Sequence, residues 1–207
     1  ALSAYEKERH PITEQVSRFA MNHAHAMSKR RKEIPENLEE QSAEGAMARA
    51  AFGQDLYDLN VQQYCCAGLN FGYFYDQSPV MVYDTESAPD YNMGSFTAST
   101  VPGCRAPHFW LEQDTSLYDA LGAAYTLLCF KPECDAEVSA VQKAAGEANM
   151  PLKILDVSAY TDRPLEYSHH FAIVRADAHT VWRGDQLYAE NAKQIVTKLC
   201  GYSTPSI

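Results

Sequence analysis

The residue with the most direct chemical potential is Cys134, which stands just ahead of a helix-forming stretch, where a helix N-terminus favours the thiolate. A dithiol site would need a second cysteine three residues on, and here there is none. Cys129, inside an apolar run, reads as core filler, and so does the Cys65-Cys66 pair. The six cysteines (65, 66, 104, 129, 134 and 200) show no zinc-ligand spacing and predict no disulfide. Metal chemistry is likewise disfavoured, because His23 and His25 face different sides of a helix and His169 and His170 alternate across a strand.

Polar and aromatic residues fall into three further groups. Tyr73 and Tyr75 would share one side of a strand and either touch a ligand or pack with their hydroxyls at a polar edge. Arg105 and His108 flank a Pro102-Gly103 turn. They either lend charge to a neighbouring site or satisfy backbone groups that no strand reaches, and the second role is favoured. Arg175, Asp177, Trp182 and Arg183 surround a tight turn and predict an ion pair with a stacking contact.

These residues need elements to hold them. Residues 1–60 read as helices: Ile12, Val16, Phe19, Ala20 and Met27 recur near helical spacing, with Pro11 expected to kink or restart the helix. A second helix is expected from Glu36 to Tyr57, with Asn37 as cap and an alanine-rich face (Ala46, Ala50, Ala51). Neither face makes a self-sufficient core, so both are expected to meet a partner absent from this stretch of chain. Residues 61–115, rich in aromatics, Gly and Pro, fit short strands and a linker, with a polar surface connection over 84–100.

Residues 116–207 are periodic throughout. A buried strand at 125–130 ends at Lys131-Pro132, and a helix over 133–149 stops at Met150-Pro151. A strand follows at 151–157, then a hairpin of 171–175 and 180–183 and a helix from 185 to 200, stopped by Gly201. The fold class is therefore α/β: N-terminal helices and an irregular linker, then a unit whose element order is thioredoxin-like but lacks the two-cysteine site. Such folds carry a cis-proline before the third strand, where this chain has Ser168-His169-His170.

Of the chain's 207 residues, 46% are hydrophobic and 21% charged, which permits a substantial core. The net charge of −10 argues against nucleic acid and membrane surfaces as partners. No apolar run approaches a membrane span. The simplest setting for six unpaired cysteines is the cytoplasm.

Several segments carry a family resemblance. Leu2-Ser-Ala-Tyr5-Glu-Lys-Glu8-Arg9-His-Pro11-Ile12 resembles the segment that follows the second flavin-binding motif in aromatic-ring monooxygenases related to phenol hydroxylase. Leu69-Asn-Phe-Gly72-Tyr73-Phe-Tyr75 with Ser78-Pro79, and Pro102-Gly103-Cys-Arg105-Ala-Pro107-His108-Phe-Trp110-Leu111, are similar to the family's linker signatures. Ser116-Leu117-Tyr118-Asp119, Val174-Arg175-Ala-Asp177 and Val181-Trp182-Arg183 resemble its thioredoxin-like tail, with Ala176 where proline is common.

The resemblance implies a parent enzyme that uses FAD and NAD(P)H to hydroxylate phenols or chlorophenols. This chain would be its C-terminal structural and assembly region, partnered by an N-terminal flavin domain and able to form a homodimer. It has no Gly-x-Gly-x-x-Gly after a strand, so no bound cofactor and no catalysis are expected of it alone. The competing readings are a stand-alone thiol protein using Cys134, and a dimerisation module.

Overall fold

A computed structural model describes residues 2–112 and 114–202. The chain opens with helix α1 (Leu2–Lys32), which runs through Pro11 without restarting. Proline removes one backbone donor there, and the long helix tolerates the loss. Its last turn carries Lys29, Arg30, Arg31 and Lys32, favourably placed at the negative end of the helix dipole.

The second helix, α2 (Ala43–Tyr64), starts later than the sequence pattern predicts. Its cap is Ser42, not Asn37: the Ser42 hydroxyl accepts from the Gly45 amide at 3.0 Å. Residues 35–40 instead form turns, and Arg49 reaches back to donate to the Leu38 and Glu40 carbonyls at 2.8 Å. The turn presses onto Gly45, where a Cβ would lie 2.3 Å from the Glu40 carbonyl oxygen, so this approach requires glycine.

Between residues 61 and 109 the expected strands do not form. A short helix α3 (Ala67–Phe71) is followed by an irregular path that ends in a small antiparallel pair, β1 (Trp110–Glu112) and β2 (Thr115–Ser116). The path satisfies its backbone by isolated bonds rather than a ladder, including Val82 to Val181, Gly103 to Thr180 and Ala106 to Ala178.

After the single turn α4 (Leu117–Ala120) come β3 (Tyr125–Cys129), α5 (Asp135–Glu147), β4 (Leu152–Asp156), β5 (Phe171–Arg175), β6 (Thr180–Gly184) and α6 (Ala189–Leu199). The sheet order is β4-β3-β5-β6, with β4 parallel to β3, and β5 antiparallel to both β3 and β6. One face (Leu127, Cys129, Phe171, Ile173, Val181) packs under α5 and α6. The other (Leu128, Ala172, Val174) packs against Phe109, Leu117 and Tyr167. Burial on both faces explains why β3 and β5 read as continuous apolar runs.

The N-terminal helices behave differently from their apolar stripes. In α1 the buried residues are Ala4 and Glu8; Ile12 is partly covered and Val16 is 42% exposed. In α2 only Gly45 is buried, and Ala46, Ala50 and Ala51 are exposed. These faces lie open on the described chain. None of its helices is long and apolar enough to cross a membrane.

Candidate functional site

The β5–β6 hairpin turns through Ala178, whose φ of 62° lets the Ala178 amide reach the Arg175 carbonyl at 2.9 Å. This tight return needs no proline at 176, and it brings Arg175, Asp177 and His179 side by side. Asp177 accepts from Arg175 Nε at 3.1 Å and Nη2 at 2.8 Å, while His179 Nδ1 faces the Asp177 carbonyl at 3.0 Å.

Helix α1 closes over this turn. The Glu8 carboxylate accepts from Arg175 Nη1 at 3.1 Å, from Nη2 at 2.8 Å and from the Ser78 hydroxyl. Arg9 donates to Asp177 at 3.0 Å. Both guanidinium groups lie over the Tyr75 ring, at 5.3 and 5.6 Å, and the His179 ring packs on Tyr75 at 4.5 Å and Tyr73 at 5.3 Å. The cluster therefore joins α1, the irregular segment and the sheet through charge and aromatic contact.

Its electrostatics favour fixed charges over proton transfer. Burial works against the Asp177 carboxylate, but hydrogen bonds from His179 and Arg175 outweigh it and hold its pKa well below the usual range. Burial also opposes the Arg175 charge, and Asp177 and Glu8 overcome it and raise its pKa. Tyr75 is held as the phenol, chiefly by burial.

Because the Asp177 pKa is lower folded than unfolded, its stabilisation is complete above the ordinary carboxylate range and is lost as pH falls through that range toward the lowered value. The urea midpoint of the wild-type chain is expected to fall more steeply on acidification below about pH 4 than that of Asp177→Asn. Equal slopes would remove Asp177 from this role.

The other sequence-predicted residues lie elsewhere. Arg183 donates to Asp84 at 2.7 Å, Glu86 at 2.6 Å and Thr100 at 2.9 Å, tying the polar 84–100 stretch to β6. Trp182 is a core residue, its ring so close to Gly184 that a Cβ there would lie 2.8 Å away. Arg105 stacks over Phe71 at 5.7 Å and Tyr118 at 4.9 Å. His108 meets the Ser116 hydroxyl at 2.9 Å and Trp110 edge-on at 5.0 Å. Of the eight polar and aromatic candidates, Tyr73, Tyr75, Arg175 and Asp177 come together. Glu8, Arg9, Ser78 and His179 were missed, although Glu8 interrupts the α1 stripe as a carboxylate one turn before Ile12.

Cys134 caps α5 without a side-chain hydrogen bond and is buried, with Cys129 beside it. Burial, reinforced by that neighbour, pushes the Cys129 thiol up to about 12. Exposed Cys65 is expected to react first with a thiol reagent, and Cys129 and Cys134 only on unfolding. Fast labelling of Cys134 in the folded chain would revive the thiol-protein reading.

Comparison with known proteins places this architecture. No protein-family model matches the chain. It is 27% identical over 215 residues to the FAD-dependent monooxygenase apdD of Emericella nidulans, covering 98% of the chain and 34% of that protein. It is 27% identical over 245 residues to the phenol 2-monooxygenase of a Pseudomonas species (strain EST1001), covering 99% and 38%. Among solved structures, RebC with bound 7-carboxy-K252c superposes with a TM-score of 0.79 at 30% identity, covering 96% of this chain and 37% of RebC. Of the relatives of this chain, apdD, and opdD of Penicillium oxalicum, are FAD-dependent monooxygenases.

The chain spans 34–39% of the length of the curated relatives it matches. PieE, a flavin-dependent monooxygenase solved with FAD and substrate, shares the fold at a TM-score of 0.69 and 23% identity, over 96% of this chain and 39% of its own. The Glu8–Arg175–Asp177 cluster has its charges satisfied by one another and by Arg9 and the Ser78 hydroxyl. It is built as a joint.

Proposed function

We propose that the chain is the structural and assembly region of an FAD- and NAD(P)H-dependent monooxygenase that hydroxylates phenolic compounds in the cytoplasm, with the flavin held by another part of the protein. The carrying observation is similarity over nearly the whole chain to proteins named as FAD-dependent monooxygenases and as a phenol 2-monooxygenase.

The β3–α5 junction supports the separation of roles. Residues 130–134 contain no glycine, and the first turn of α5 carries Asp135 and Glu137, which repel a diphosphate from that helix N-terminus. The residues present do not fit a flavin pyrophosphate at this strand-to-helix turn. The order and polarity of β3 to α6 support a thioredoxin-like unit used as a scaffold. The open faces of α1 and α2, with Tyr5, Met47 and Tyr64 exposed, suit contact with a flavin domain.

The purified chain is expected to be colourless and inactive toward NADPH with phenol. A longer polypeptide that joins it to a flavin domain is expected to bind FAD and consume both. A flavin absorbance band on the chain alone, or phenol-dependent NADPH oxidation by it, would contradict the proposal.

A further inference from the structure

No further inference is drawn: the strongest candidate, the Cys129–Cys134 thiol pair where β3 meets α5, rests only on the raised pKa of Cys129, with both thiols buried away from any oxidant.

Discussion

Arg175→Ala is expected to destabilise the chain by about 3–5 kcal/mol, the usual cost of removing one partner from a buried ion pair. The Glu8 carboxylate side chain is only 4% exposed, and without Arg175 it keeps only the Ser78 hydroxyl. Asp177 is left with Arg9 and His179 as partners. Glu8→Gln strands no charge, because Arg175 retains Asp177, so it is expected to cost less, about 1–2 kcal/mol. Urea unfolding followed by circular dichroism compares the two. If Arg175→Ala is no more harmful than Glu8→Gln, the cluster is a surface ornament and α1 is held by something else.

Gly103→Ala is the second large effect. Gly103 has φ of 99°, and an added Cβ would lie 2.1 Å from the Tyr75 carbonyl oxygen. Strain from the positive φ contributes about 1–3 kcal/mol. The clash cannot be relieved by a rotamer change, because its partner is backbone; displacing Tyr75 adds about 1–3 kcal/mol more. Tyr75 is the ring on which Arg9, Arg175 and His179 rest, and its amide donates to the Gly103 carbonyl at 3.0 Å. The damage is therefore expected to spread to the joint, seen as a lowered thermal midpoint together with faster proteolysis in α1. Gly146→Ala is the control. It lies inside α5 with nothing within 4 Å of the new Cβ, and is expected to stabilise by about 0.5–1 kcal/mol. Similar outcomes for the two substitutions would mean that the Gly103 turn is not a constrained point.

The first prediction concerns contacts that tie the beginning of the chain to its end, and the second a turn in the middle on which they rest; there sequence reasoning had least to work with. The Arg175–Asp177 pair was readable because two residues on one tight turn must lie close together. Its completion by Glu8, 167 residues away, was not. A glutamate on a helix reads as a solvated face, and only the packing of that face against the hairpin removes the water. Arg105 and His108 illustrate the converse: they share the Tyr118 ring, at 4.9 and 5.4 Å, but this packing contact depends on α4 folding against their segment and serves structure, with His108 also meeting Ser116 and Trp110.

The sequence by itself determined β3, α5, β4, the β5–β6 hairpin and α6, because these elements are encoded by local periodicity and by stops such as Pro132, Pro151 and Gly201. It determined the α/β class by their order, and the absence of a glycine-rich turn before α5. The tertiary structure alone decided the start of α2, set by a turn folding back onto Gly45, and the path of residues 72–109, whose backbone bonds go to distant partners rather than to a neighbouring strand. It also decided which stripe of α1 is covered. An apolar pattern states that a face can be buried; whether it is buried depends on the surface opposite, and in α1 that surface offers Arg175 to Glu8 and leaves Val16 open.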